Sequence, residues 1–144
     1  MRKGLHYANY KLVVVLSSFV ELEEIDVWQK ARLLVSEIYR VSQQGKFGSD
    51  FPLRDQIRRA AVSVMSNIAE GHGRGGTKEF VQFLSIAKGS LTEVISHLYV
   101  GFDQGYLTYE AFTTVHKHAS EVGKMIGGLM NYLKSVSIRG IKYK

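Results

Sequence analysis

The chain has 144 residues, a length that suits one domain built on a single core. Its 45% hydrophobic and 22% charged content is that of an ordinary soluble globular chain, and the lack of cysteine excludes disulfides and thiolate metal sites. A net charge of +6 points to a polyanionic partner, but that charge is unevenly spread. Residues 134–144 carry Lys134, Arg139, Lys142 and Lys144 with no acid, whereas residues 26–133 hold twelve basic and ten acidic residues.

No run approaches the roughly 18 apolar residues that a membrane-spanning helix needs, so no membrane association is expected. Arg2 and Lys3 followed by Leu12–Leu16 faintly imitate a secretory leader, but that apolar run falls short of the about 7–15 residues required. Residues 1–21 are therefore expected as an extended or loosely packed arm, and the protein as cytoplasmic. Apart from Leu12–Leu16, nothing reads as a strand.

From Asp26 onward the apolar spacing is helical. Val27, Ala31, Leu34, Val35, Ile38 and Val41 mark a first helix that ends near Gln43-Gln44-Gly45. Lys46–Pro52 reads as a loop, with Pro52 suited to the first turn of a second helix because its missing N–H costs nothing there. Leu53, Ile57, Ala60, Val64 and Ile68 continue one face of that helix. A third helix is expected from Thr77, taken as its N-cap, with Phe80, Leu84, Ala87, Leu91, Val94, Ile95 and Leu98 as its stripe. Gly105 suits the stop of that helix and Thr108 the cap of a fourth, which runs through Phe112, Val115, Ala119, Val122, Ile126, Leu129 and Leu133. Four helices with short connections predict an all-α, antiparallel up-down four-helix bundle over residues 22–134, followed by a basic tail over 135–144.

Val62, Met65 and Ala69 fall on a second arc of the second helix, beside Arg54 and Arg58. A helix apolar on two sides packs on two sides, which makes these three residues candidates for a subunit interface. The alternative is that small apolar residues simply tolerate exposure. Gly89, Gly123 and Gly127 sit inside helices at a cost of roughly 1 kcal/mol each relative to alanine, which close helix approach would offset.

Gly71, Gly73 and Gly76 satisfy G-x-G-x-x-G, but the dinucleotide fingerprint needs a preceding strand and a βαβ unit, and here a helix precedes it. Gly76-Thr77-Lys78 reverses the order that a phosphate loop requires. The glycines read instead as a hinge, with Gly71 or Gly73 ending the second helix at positive φ. Beside that hinge, Arg74 and Lys78 flank a helix N-terminus able to meet a phosphate. No Glu-x-x-His pair supports a di-iron site, and His116 and His118 point to different helix faces. No nucleophile motif is present either, so no enzymatic activity, cofactor or metal is expected. Arg54, Arg58 and Arg59 form the best basic cluster in the body. Their guanidinium groups suit either phosphate contacts or salt links to Asp55, Glu37 or a neighbouring subunit.

Asp26-Val-Trp-Gln-Lys-Ala31, Gln56-Ile-Arg-Arg-Ala-Ala-Val-Ser63, Ser66-Asn-Ile-Ala-Glu-Gly71 and Lys78-Glu-Phe80 resemble the four-helix-bundle proteins encoded within intervening sequences of bacterial 23S ribosomal RNA genes. So do Phe83-Leu84, Ile86-Ala-Lys-Gly-Ser90 and Gly105-Tyr-Leu107. The resemblance spans roughly residues 22–133. It implies an antiparallel bundle assembled into a ring-like homopentamer. It also implies kinship to a retroelement accessory protein that binds nucleic acid and a reverse transcriptase. No catalytic residues go with the family. Arg58, Arg59, Asn67, Glu70 and Arg74 match its motif and suggest a polar network at a helix end or subunit boundary. His72 departs from the pattern, where an aromatic residue is usual.

The resulting expectation is a non-enzymatic oligomer that binds RNA or structured nucleic acid through phosphates. The candidate contacts are Arg54, Arg58, Arg59, Arg74, Lys78, Lys134, Arg139, Lys142 and Lys144. The alternative is a protein-interaction scaffold, for example for a reverse transcriptase, with no nucleic-acid affinity of its own.

Overall fold

The computed structural model describes the backbone of residues 20–142 and the side chains of residues 20–137. Apart from Val20 and Glu21, the arm expected over residues 1–21 lies outside the described residues, as does Lys144. After a 3₁₀ turn at Leu22–Glu24, the helices are α1 (Asp26–Gln43), α2 (Gly45–Ser49), α3 (Phe51–Gly73), α4 (Thr77–Asp103) and α5 (Tyr109–Lys142). The four long helices pack in a cycle, α1 on α3, α3 on α4, α4 on α5 and α5 on α1. Ser63 meets Ser90 and Gly71 meets Phe80 and Phe83, so α3 and α4 run antiparallel. Arg58 meets Tyr39 and Ser42, and Gly123 meets Leu91, which extends the same alternation to α1 and α5. The expected all-α up-down bundle is the observed fold.

The core follows the apolar stripes. Leu34 and Ile38 of α1, Ile57, Val64 and Ile68 of α3, Leu84 and Leu98 of α4, and Val115, Val122 and Ile126 of α5 are all fully buried. Each such side chain contributes about 1.5–3 kcal/mol through burial, so the stripes dictate which face of each helix turns inward.

The segment expected as a loop at Lys46–Pro52 instead opens with the short helix α2. Phe47 drives this: it is completely buried, and its ring lies 5.6 Å from that of Tyr106. A one-turn helix folds Phe47 under the end of the bundle, where the missing side chain of Gly101 makes room for it. Asp50 then joins two elements. One carboxylate oxygen accepts the Leu53 N–H at 3.2 Å, capping α3, and the other accepts the Tyr106 hydroxyl at 3.0 Å.

The hinge between α3 and α4 also differs from expectation. Gly71 and Gly73 remain helical, and the positive φ falls on Gly75, at 76°. Gly71 serves a different need: a Cβ there would lie 2.8 Å from Phe83 Cβ and 3.2 Å from Phe80 Cδ1. It is the close-approach glycine of the α3–α4 contact. Gly76 is the N-cap of α4, so Thr77 is the first helical residue and makes no side-chain cap. His72, the departure from the family pattern, packs edge-on against Phe80 at 6.1 Å and bonds the Val20 carbonyl at 2.9 Å.

The other end of α4 closes as expected. Gly105 takes φ 76°, its N–H bonds Phe102 O, and the Tyr106 N–H bonds Gly101 O, a Schellman stop. Thr108 Oγ1 accepts the Ala111 N–H at 3.1 Å to cap α5. Of the three interior glycines, Gly123 meets Leu91 at 3.1 Å, whereas a Cβ on Gly89 or Gly127 would meet nothing within 4 Å. α5 continues through Lys142, so the backbone of residues 135–142 extends the helix where a tail was expected.

Candidate functional site

The candidate basic residues divide between the two ends of the bundle. Arg54, Arg58 and Arg59 sit in the first half of α3, whereas Arg74 and Lys78 flank its far end, about 30 Å along the axis. The register that sets Gly123 beside Leu91 brings Lys134 level with Phe80, so Lys134 shares the Lys78 end. The side chains of Arg139 and Lys142 lie outside the described residues.

At the Lys78 end the cations are partly neutralised. Arg74 closes on Glu70 at 2.8 Å as an i,i+4 pair and lies 5.4 Å from the Phe83 ring centroid. Glu79 folds back so that its carboxylate lies against Gly76, at the start of α4. A carboxylate there occupies the position that the helix N-terminus would offer to a phosphate. Lys78 and Lys134 stay exposed with no side-chain partner among the described residues.

The α3 cluster is better built. Arg54 bonds Asp55 Oδ1 and the Gly48 carbonyl, each at 3.1 Å, and covers the Phe51 ring at 4.6 Å. Arg58 donates Nε to Ser42 Oγ at 2.8 Å and Nη2 to Tyr39 O at 3.4 Å, with its guanidinium 4.5 Å over the Tyr39 ring. Arg59 is exposed and has no partner among the described residues. Together Tyr39, Asp55, Arg58, Arg59 and Val62 line an open cleft of about 390 Å³ on the outer surface of α3. The salt link to Asp55 that the sequence allowed is therefore made by Arg54. Glu37 goes instead to His118 of α5, at 2.6 Å.

The family-motif residues do not form one network. Arg58 belongs to the Tyr39–Ser42 group and Glu70 to Arg74. Asn67 donates to the Ser63 carbonyl at 2.8 Å and to its hydroxyl at 3.1 Å, and that hydroxyl lies 2.9 Å from Ser90 Oγ across the α3–α4 contact. Of the interface candidates, Val62 is 39% exposed at the rim of the cleft, Met65 packs partly against the core and Ala69 is half-buried. His116 faces Tyr99 and Phe112, away from His118, as their spacing required. Sequence reasoning missed Tyr39 as a member of the site. It precedes Arg58 by 19 residues, and only the α1–α3 packing brings the two together.

No helix among the described residues is long and apolar enough to cross a membrane. No functionally curated protein matches the chain. Among solved structures, the chain is similar to a crystallised protein of unknown function from Bacteroides thetaiotaomicron, described as a member of the S23 ribosomal protein family. The two share 21% identity over 72% of this chain and 97% of that one, with a TM-score of 0.67, which bears on the fold alone. Residues 23–128 match the family described as 23S rRNA-intervening sequence protein, a span that runs from the turn before α1 into α5. This chain belongs to the 23S rRNA-intervening sequence protein family.

Proposed function

We propose that this chain is a non-enzymatic, self-associating bundle that binds RNA or structured nucleic acid through phosphate contacts. The observation that carries this reading is the cleft on α3. It places two guanidinium groups, Arg58 and Arg59, beside an exposed tyrosine, and its one carboxylate, Asp55, is already paired with Arg54. Arg59, Lys78 and Lys134 supply cations that no partner among the described residues consumes. The charge of residues 134–144 adds to them. Arg54 and Arg74 contribute to the local field, but their N–H groups are engaged within the chain.

Filter binding of a structured RNA across a salt series tests this. Phosphate contacts predict affinity that falls linearly in log–log form, with a slope of about −0.7 to −0.9 per contact. Absence of binding at low salt, or binding indifferent to salt, would remove the reading. Self-association is proposed through the second apolar arc of α3, at Val62, Met65 and Ala69, and a ring of five remains the family expectation. Light scattering at micromolar concentration checks it, and a monomeric mass refutes it.

A second reading is favoured by a separate feature. At the α4–α5 turn, Tyr99, Phe102, Tyr109 and Phe112 cluster, with Tyr109 72% and Tyr99 48% exposed. Exposed aromatic groups of this kind suit a protein partner, such as an enzyme that the bundle would dock. Capture of a partner that survives nuclease treatment, together with little RNA affinity, would favour this reading over the first.

A further inference from the structure

We infer that the Tyr39–Arg58 pair is a stacking site for an unpaired RNA base, with Arg59 contacting the adjacent phosphate. This rests on the nucleic-acid reading and specifies the strand form that the α3 cleft accepts. The argument begins with how Arg58 is held. Its Nε is engaged by Ser42 Oγ at 2.8 Å, its Nη2 by Tyr39 O at 3.4 Å, and its Cζ lies 4.5 Å from the Tyr39 ring centroid. Much of its hydrogen-bonding edge is therefore turned into the protein. A guanidinium held against an aromatic ring in this way suits stacking with a further planar group.

Arg59 differs in kind. One residue further on, it projects about 100° around the helix, is exposed, and has no partner among the described residues, so its N–H fork is open to a phosphate. The cleft between these groups, about 390 Å³, is shallow and open, suited to a splayed nucleotide. Val62 marks the edge of the cleft, where the second apolar arc of α3 begins. Asp55 is the one carboxylate in the lining and is held by Arg54 at 3.1 Å, which blunts its repulsion of a phosphate. Tyr39 is 44% exposed, and Ser42 and Arg58 both bond its carbonyl, so the platform is ordered before any ligand arrives. In a duplex the base faces are stacked within the helix and cannot reach such a plane, so the site discriminates by strand form.

The test compares a fluorescein-labelled 12-nucleotide oligouridylate with a 12-base-pair RNA duplex by anisotropy at low and moderate salt. The wild-type chain is expected to bind the single strand more tightly. Tyr39→Leu, which keeps apolar bulk, should weaken single-strand binding about tenfold or more while leaving duplex binding unchanged. Tyr39→Phe should retain it. Arg59→Gln should weaken both ligands and flatten the salt slope by about one contact. A 4-thiouridine-substituted oligomer should crosslink to the peptide carrying Tyr39 in the unmutated protein, a readout independent of any variant's folding. Equal affinity for the two strand forms, an unaffected Tyr39→Leu, or crosslinks that map elsewhere would overturn the stacking site while leaving phosphate binding intact. If the wild-type chain binds neither ligand at low salt, the nucleic-acid reading falls and takes this site with it.

Discussion

Arg58 donates its Nε to Ser42 Oγ at 2.8 Å, joining an arginine at the surface of α3 to the one fully buried polar side chain among the described residues. The bond ties α1 to α3 and fixes the guanidinium that covers Tyr39. Removing the acceptor by Ser42→Ala should destabilise the fold by about 1–2 kcal/mol, as expected for a hydrogen bond from a charged donor. Arg58→Lys should cost a similar amount, because an ammonium cannot reach both acceptors and cover the ring as a planar fork does. Urea unfolding of the two variants measures both effects.

Gly71 and Gly89 both lie inside helices and should respond to alanine in opposite directions. At Gly71 the added methyl would press on Phe83 and Phe80, so Gly71→Ala should destabilise by about 1–3 kcal/mol. At Gly89 the methyl would meet nothing within 4 Å, and Gly89→Ala should stabilise by up to about 1 kcal/mol through helix propensity. Midpoints of thermal or urea unfolding, compared at equal slope, decide each sign.

Tyr106 donates its hydroxyl to Asp50 Oδ2, and this bond, followed by burial and the Asp50 charge, raises its pKa above the ordinary value of 10.0. A raised folded-state pKa means the native state holds the proton more tightly than the unfolded chain does. The resulting stability is complete below about pH 10 and is lost as pH rises through the folded-state pKa. Tyrosinate absorbance should therefore show one late-ionising group that Tyr106→Phe removes. The variant should also lose stability less steeply in that alkaline window.

Glu37 and His118 meet at 2.6 Å across the α1–α5 contact, with 18% and 44% of their side chains exposed. A double-mutant cycle with Glu37→Gln and His118→Asn should give a coupling of about 0.5–1 kcal/mol, the scale of a partly exposed pair. If the pair acts as ions, salt should reduce the coupling. Equal coupling at low and high salt would mark it as a neutral hydrogen bond.

The four long helices were legible because each buries a continuous apolar stripe, and stripe spacing depends only on local geometry. Thr108 and Gly105 were legible for the same reason: a cap and a Schellman stop are set by a few adjacent residues. α2 was not, because Gly45–Ser49 has no stripe of its own and is helical only because Phe47 finds a cavity beneath Gly101 and Tyr106. Gly71 was recognised as structural but given the wrong task. Its neighbours Phe80 and Phe83 lie across the α3–α4 hinge, and their proximity depends on how the two helices pack.

The candidate site divides along the same line. The sequence alone determined an all-α bundle, a basic excess concentrated after Leu133, and arginines clustered at 54, 58 and 59. It could not say which of those arginines were free, since a guanidinium's partner is chosen by whatever the fold brings within hydrogen-bond reach. Packing α1 against α3 placed Ser42 and Tyr39 beneath Arg58, and packing α3 against α4 set Phe83 beside Arg74, whose carboxylate partner Glu70 lies one turn back in its own segment. Periodicity decides which residues are buried and sets local partners such as Asp55 and Glu70 within reach, but contact between segments distant in sequence decides how Arg58 is engaged and what it presents to a ligand.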